Sequence, residues 1–236
     1  MRYFWLNLKA IFIKDIVIEL RAKQVLPTMI VLGMLIVWVL RMASEAVVQS
    51  QSVIGPVALW IAFLFSGLLV QERAFANEQQ QDCIYGLLLT PVDEGTIYLA
   101  KLFVNIVLLC IFEVIIVPVV IIAFRLNISN WLALTGVLLL GNIAISSVGT
   151  LFSAIVQLSR AKGALLSILV LVILMPMMIP ATFALLLVFG AIPTELEGTG
   201  ALAFVGTFSS AIGYMIAFDA VFVVACWLLF GFVIKE

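Results

Sequence analysis

The chain has 236 residues, of which 65% are hydrophobic and only 11% charged, and its net charge is −1. Soluble domains carry about a quarter charged residues, so this composition excludes an ordinary soluble domain and predicts a protein built within a membrane. The near-neutral charge and the lack of a basic stripe give no reason to expect a nucleic-acid partner.

Several common kinds of chemistry lack the residues that would carry them. The chain contains no histidine, which removes the commonest metal ligand and general base and the usual axial ligand of haem. No G-x-x-x-x-G-K-[ST] motif occurs, so ATP cannot bind through a P-loop. The cysteines (Cys83, Cys110 and Cys226) lack the spacing of a metal or redox site. We therefore expect a non-catalytic protein with no metal and no disulfide.

Residues 2–23 predict a helix that lies in the headgroup plane and does not cross the membrane, because charged residues interrupt it repeatedly. Its apolar stripe consists of Trp5, Leu8, Phe12, Ile16 and Leu20, and its polar residues include Asn7, Lys14, Asp15, Glu19 and Arg21. Glu19 and Lys23 add an ion pair at i,i+4 spacing. A disordered basic tail is the alternative. Because charges continue through Lys23, we expect no cleavable signal peptide.

Six apolar runs follow, each about as long as or longer than the roughly 20 residues needed to cross a bilayer. They cover about residues 25–42, 53–70, 98–124, 131–158, 163–189 and 204–234. Lys and Arg favour the cytoplasmic side. With the N-terminus inside, ten of them fall on the cytoplasmic face and only Arg41 and Arg125 outside. We predict one all-α transmembrane domain over residues 1–236, with both termini cytoplasmic and the loop containing Glu195 and Glu197 outside.

The longest polar passage, residues 71–97, separates the second and third spans. Residues 75–89 have helical spacing, with Glu78, Gln79 and Asp82 on a wet side and Ile84, Leu87 and Leu88 on a side that favours burial. Thr90, Pro91 and Asp93 then fit a capping box with Thr90 as the N-cap. We predict an amphipathic elbow of two helices on the cytoplasmic face. We expect this elbow to press against a partner. The alternative is that it rests on lipid headgroups or on the ends of the protein's own membrane spans.

Three polar residues are expected within the membrane. Glu113 lies about 18 Å along the third span from Lys101 at 1.5 Å per residue, and Asp219 lies near the middle of the sixth span. An ionisable side chain at that depth should face the bundle interior. Asn142 belongs to a small-residue face of the fourth span, with Ser146, Gly149, Thr150 and Ser153, and Gly206, Ser209, Ser210, Gly213 and Ala217 form another in the sixth. Helix packing and a polar substrate path both remain open for these faces and acids.

Four motifs together resemble the CcmB family, the membrane subunits of the haem-handling ABC complex of cytochrome c maturation. They are R-x-F-x-x-E (Arg73, Phe75, Glu78), G-L-L-L-x-P-V-D (Gly86–Asp93), I-Y-L-x-K (Ile97–Lys101) and D-x-x-x-E-x-R-x-K (Asp15, Glu19, Arg21, Lys23). The end of the chain, from Ala217-Phe218-Asp219 to Lys235-Glu236, resembles one branch of that family. A glutamate a few residues before a proline also recurs in the family's third span, as Glu113 and Pro118 do here.

The resemblance implies an ABC-2-type permease fold in a bacterial inner membrane, with haem as a possible cargo and ATP hydrolysed on a separate CcmA-type ATPase. It also implies CcmC-like and CcmD-like membrane partners and the haem chaperone CcmE. The residues that would couple to the ATPase are Arg73, Phe75, Glu78, Asp82, Ile84, Leu87, Leu88, Pro91 and Asp93. The alternatives are an ABC-2 permease for a lipid, polysaccharide or drug, and a non-transporting scaffold.

Overall fold

The computed structural model describes residues 2–22, 24–45, 51–73, 93–158, 163–191 and 207–233. Within these ranges the chain forms seven helices and no strand, which confirms the all-α prediction. The helices are α1 Arg2–Ala22, α2 Val25–Glu45, α3 Gln51–Arg73, α4 Glu94–Phe124, α5 Trp131–Leu158, α6 Gly163–Val188 and α7 Phe208–Val233. All except α1 are long and apolar enough to cross a membrane.

Helices α3, α4 and α5 form the centre of the bundle. Helix α4 contacts α1, α2, α3, α5 and α7, whereas α2 packs mainly along α3 and α7 mainly along α5. About 61% of the most apolar stretch is buried in α3 and in α5, against 22% in α2 and 17% in α7. The two flanking spans α2 and α7 therefore turn most of their apolar surface away from the other described helices.

Two glycines allow large aromatic side chains to fill the bundle centre. A Cβ atom at Gly141 would lie 2.4 Å from the ring of Trp60, and one at Gly33 would lie 2.7 Å from the ring of Phe112. Trp60 packs edge-on against Phe63, and Phe63 stacks on Phe112 at 6.5 Å between ring centroids. Small residues thus bring helices close enough to exclude lipid from the centre.

A short turn makes α4 and α5 an antiparallel hairpin. Arg125 ends α4 in the left-handed backbone conformation with φ 51° and ψ 44°, a common way to close a helix. The side-chain oxygen of Asn130 then accepts hydrogen bonds from the backbone N–H groups of Leu132 and Ala133, which caps the start of α5. The turn is centred between residues 127 and 128. Residues equally far from that centre therefore lie side by side on the two helices.

Helix α1 packs against α4 through a face that only partly overlaps its predicted apolar stripe, of which Leu8, Phe12 and Ile16 are half-buried. Ile11 and Asp15 are buried there, whereas Trp5 is 66% and Leu20 46% exposed. The two ends of the stripe therefore do not pack on α4, and their contact with the headgroup plane stays a prediction. Four-residue steps drift by about 40° around a helix of 3.6 residues per turn, and the drift carries Leu20 off the packed face. Trp5 lies in the first turns of α1, beyond the packed part.

The small-residue face predicted in the sixth span does not pack against another described part of the chain, and its first member, Gly206, lies outside the described residues. Ser209, Gly213 and Ala217 are exposed, and a Cβ atom at Gly213 would meet nothing within 4 Å. Helix α7 instead packs through Ala211, Met215, Asp219, Cys226 and Phe230. Through that face α7 packs mainly along α5 and also contacts α6 and α4.

Candidate functional site

Glu113 and Asn142 form a hydrogen-bonded pair between α4 and α5. The Asn142 side-chain nitrogen (Nδ2) donates to Glu113 Oε2 at 3.0 Å, and Glu113 is 8% and Asn142 0% exposed. Each residue lies 11 positions from the turn end of its helix, or roughly 17 Å at 1.5 Å per residue. Glu113 Oε1 and Asn142 Oδ1 have no hydrogen-bond partner among the described residues. The hairpin thus joins two of the three predicted intramembrane polar residues at mid-span.

Asp219, the third of these residues, stands apart from that pair. It is 6% exposed on the packed face of α7, and neither carboxyl oxygen has a hydrogen-bond partner in the described part of the chain. The burial of Asp219 agrees with the expectation that its side chain faces the bundle interior. The structure does not bring its carboxyl group into the Glu113–Asn142 pair.

A second polar layer joins α3, α4 and α5 through Asn105. Its Nδ2 atom donates to Gln71 Oε1 at 3.0 Å and to Thr150 Oγ1 at 2.9 Å. The hydroxyl of Ser153 donates to the backbone carbonyl of Gln71 at 2.5 Å. All four residues are buried to 1% exposure or less. We call this set, Gln71, Asn105, Thr150 and Ser153, the Asn105 layer.

Sequence reasoning missed Asn105 and Gln71, although one signal could have found the contact of Asn105 with α5. Asn105 and Thr150 are equally far from the centre of the 125–130 turn, and so are Glu113 and Asn142. An antiparallel hairpin with that turn places both pairs in register. Sequence reasoning places the polar residues in each span separately. Without counting from the turn, that procedure does not show which residues of α4 and α5 lie side by side.

The predicted elbow begins where α3 ends, and this end of α3 is held on several sides. Gln71 belongs to the Asn105 layer, and the next residue, Glu72, accepts a hydrogen bond from the hydroxyl of Ser167 on α6 at 3.1 Å. Arg73 is the last residue of α3. The chain therefore leaves the bundle from a turn bound to α4, α5 and α6. We call this side of the bundle the elbow side.

The chain re-enters the bundle at Asp93, which corrects the predicted capping box. Asp93 has extended backbone angles (φ −63°, ψ 134°) and is itself the N-cap of α4, with no side-chain capping bond. It therefore does not occupy the third helical position that a Thr90 cap requires. A Cβ atom at Gly95 would lie 2.3 Å from the indole nitrogen of Trp227. The start of α4 thus packs directly against the end of α7.

A buried ion pair ties α1 to the elbow side of α4. Lys101 Nζ lies 3.1 Å from Asp15 Oδ2, with side-chain exposures of 6% and 9%. Lys14 Nζ lies 3.1 Å from the other carboxyl oxygen but is 45% exposed. Further along α1, Glu19 is half-buried and Arg21 exposed. Of the three predicted α1 residues, Asp15 makes the contact that anchors α1 on the bundle.

The remaining predicted coupling residues lie outside the described residues. They are Phe75, Glu78, Asp82, Ile84, Leu87, Leu88 and Pro91, and the side chain of Arg73 is not described either. Among the described residues, no group of three Cys, Asp or Glu side chains is placed to hold a metal ion. The arrangement is therefore one of helix-to-helix polar contacts, concentrated where the 74–92 segment meets the bundle.

A protein-family model described as CcmB protein matches residues 6–224 of the chain. The match includes α1 from residue 6, helices α2 to α6, the whole 74–92 segment and α7 as far as residue 224. Both polar layers and the Asp15–Lys101 ion pair fall inside it. The comparison with curated proteins found no match.

Proposed function

Because the chain belongs to the CcmB family, we propose that it is the membrane subunit of an ABC-type complex that handles haem for c-type cytochrome biogenesis. In this proposal it couples ATP hydrolysis on a separate subunit to haem export or to release of the haem-loaded chaperone. The observation that carries the proposal is the family match over 219 of 236 residues, since residues 6–224 include the elbow with its motifs.

The structure supports a force-transmitting role through the two ends of the elbow. Its outgoing end at Gln71 and Glu72 is bound to α4, α5 and α6. Its returning end at Asp93–Gly95 packs on Trp227 of α7. A displacement of the 74–92 segment would therefore be transmitted through direct contacts to α4, α5, α6 and α7. Since the chain has no P-loop, the ATPase is a separate CcmA-type subunit.

The wider assembly follows from the family in the same way. CcmC-like and CcmD-like membrane subunits and the chaperone CcmE are the proposed partners, within a bacterial inner membrane. The largely unburied faces of α2 and α7 provide apolar surface for lipid or for such partners. Haem is proposed as cargo of the complex and not as a cofactor held by this chain.

The decisive experiment uses the purified complex of this chain with its ATPase and membrane partners. We expect haem absorbance and ATP-dependent release of the loaded chaperone. ATP-dependent efflux of a lipid or drug, without haem, would instead establish an ABC-2 permease of another substrate class. ATP hydrolysis without chaperone release and without efflux of a lipid or drug would indicate a non-transporting scaffold. Each result selects one of the three functions.

The proposed orientation places both termini in the cytoplasm. With native cysteines replaced, we expect a membrane-impermeant thiol reagent added from outside to label Glu197→Cys and to leave Gln80→Cys unlabelled in intact cells. Both positions lie outside the described residues, and the expectation rests on the ten-to-two distribution of Lys and Arg. Permeabilised cells, in which both positions should react, are the control. Labelling of Gln80→Cys alone in intact cells would reverse the topology.

The elbow is proposed to dock in a groove of the ATPase. An amphipathic helix laid in an apolar groove binds through anchors at i, i+3 and i+4, as Ile84, Leu87 and Leu88 are spaced. Acids at the groove's rim contribute mainly to association rate. We expect the double variant Glu78→Lys with Leu87→Asp to lose co-purification of the ATPase while its detergent melting temperature stays normal. If the ATPase still co-purifies in full with a normally stable variant, this segment is only an interfacial element.

A further inference from the structure

Asn105 is the branch point of the polar layer nearest the elbow. Its single amide nitrogen donates to Gln71 on α3 and to Thr150 on α5, and the residue is 1% exposed on α4. In an apolar interior, hydrogen bonds between helices have no competing water, and a buried polar group without a partner is costly. One side chain therefore holds the end of α3 in a fixed position relative to the adjacent turns of α4 and α5.

The layer acts on the part of α3 that leads directly into the elbow. Gln71 lies two residues before the end of α3, and both its side chain and its backbone carbonyl are engaged, by Asn105 and Ser153. Room for the Gln71 side chain exists because residue 149 is glycine: a Cβ atom there would lie 2.3 Å from Gln71 Cγ. A displacement of the elbow that moves the end of α3 therefore acts on the layer.

The layer is also incomplete in this arrangement. The Gln71 side-chain nitrogen (Nε2) and the Ser146 hydroxyl are buried without hydrogen-bond partners in the described part of the chain. Ser146 lies one helical turn from Thr150, whose hydroxyl donates to the Ser146 carbonyl. These two groups lie beside the hydrogen-bonded members of the layer. They provide a donor and a hydroxyl for a second hydrogen-bonded arrangement of the same side chains. Discrete alternative arrangements are what allows a packed interior to transmit a displacement.

Resting on the proposed function, we propose that Asn105 is a positioning residue that passes movement of the α3 end to α5 during the ATP cycle. Movement of α4 and α5 at this layer reaches the Glu113–Asn142 pair, which lies eight residues further along both helices, or about 12 Å. Asn105 touches neither cargo nor nucleotide. It sets whether motion at the elbow produces motion at the centre of the bundle.

Two changes test this role, each in the assembled complex with its ATPase. Asn105→Leu removes both donated bonds at similar volume, and Thr150→Val removes one hydroxyl without changing shape. Thr150→Ser retains the hydroxyl. Thr135→Val is the matched control, because Thr135 is exposed on the same helix and, among the described residues, donates to the backbone carbonyls of Trp131 and Leu132 of its own helix.

The readout is chaperone released per ATP hydrolysed, together with the hydrolysis rate and the melting temperature of the complex. We expect Asn105→Leu and Thr150→Val to lower the release per ATP about fivefold or more, within the range of measured coupling effects, while hydrolysis continues. Thr150→Ser and Thr135→Val should remain close to the unaltered chain. A purely structural role would instead lower melting temperature, hydrolysis and release together.

Each outcome decides the inference. An unchanged release per ATP in Thr150→Val overturns it, as does a parallel fall of release and hydrolysis, and this variant decides the question if Asn105→Leu fails to assemble. A loss of release per ATP that Thr150→Ser does not show supports it. If the unaltered chain shows neither ATP-driven chaperone release nor ATP-driven haem export, the proposed function is overturned. A normal release per ATP that Thr150→Val leaves unchanged overturns the inference alone, which separates the two failures.

Discussion

Replacing Lys101 by methionine should lower the free energy of unfolding by about 3 kcal/mol, the lower end of what losing one partner of a buried ion pair costs. Lys101 is 6% exposed and lies 3.1 Å from Asp15. Methionine keeps the apolar volume but leaves the Asp15 carboxylate with only the more exposed Lys14 nearby. That second lysine is the reason for expecting the lower end. The measurement is thermal unfolding of the detergent-purified subunit.

Two further variants make that result interpretable. Lys9→Met changes an exposed lysine on α1 and should leave the melting temperature within error. Asp15→Leu combined with Lys101→Met removes both charges, and replacing a whole buried pair by apolar groups is often neutral. We expect the double variant to recover most of the loss. A Lys101→Met protein as stable as the Lys9→Met control would show that the ion pair contributes nothing to anchoring α1.

Glu113→Ala should cause the second large effect, a loss of c-type cytochrome yield well beyond that of Glu195→Ala. Alanine removes the carboxylate acceptor of the buried Asn142 amide and leaves it with the weaker Cys110 Sγ acceptor at 3.4 Å. An unsatisfied buried polar group costs about 1–3 kcal/mol, and alanine also leaves a cavity beside that amide. Glu113→Gln retains an oxygen that can accept from Asn142 and should keep most of the yield. Glu195 belongs to the loop predicted to lie outside, where no bilayer-depth contact is expected.

The yield is measured as haem-stained c-type cytochrome divided by the amount of this subunit in the membrane. A fall in subunit amount, with normal yield per copy, would assign Glu113 and Asn142 to packing alone. Asp219→Ala belongs in the same comparison, since Asp219 is equally deep but lacks the amide contact. Equal and negligible effects of Glu113→Ala, Asp219→Ala and Glu195→Ala would mean that neither buried acid matters.

The sequence predicted the helices well because composition alone determines them. Runs of about 20 apolar residues have no other stable state in a bilayer than a helix with every backbone group paired. The predicted run of residues 131–158 has the bounds of α5, and the starts of α4 and α7 differ from the predicted ones by four residues. Boundaries depend on caps, and Asp93, with no side-chain capping bond, shows how a motif can fit the sequence without being formed.

The contacts between helices were harder to predict, for a geometric reason. Depth follows from counting along one span, so burial of Glu113 and Asp219 could be predicted. Pairing requires the register and rotation of two spans at once, which the turn at residues 125–130 fixes for α4 and α5 only. The small residues of α7 were predicted as one face, but its exposure was not, because the exposed face and the packed face of a helix repeat with the same period. Nothing in one helix says which side its neighbours occupy.

The Glu113–Asn142 pair also bears on how the protein is made. An acid near the centre of a lone span raises the free energy of insertion by roughly 2.5–3.5 kcal/mol. Asn142 can offset part of that cost only after α5 has been synthesised and has folded back beside α4. The two spans therefore enter lipid most favourably as a finished hairpin, and a chain interrupted before residue 142 leaves a carboxyl group in the bilayer without its amide.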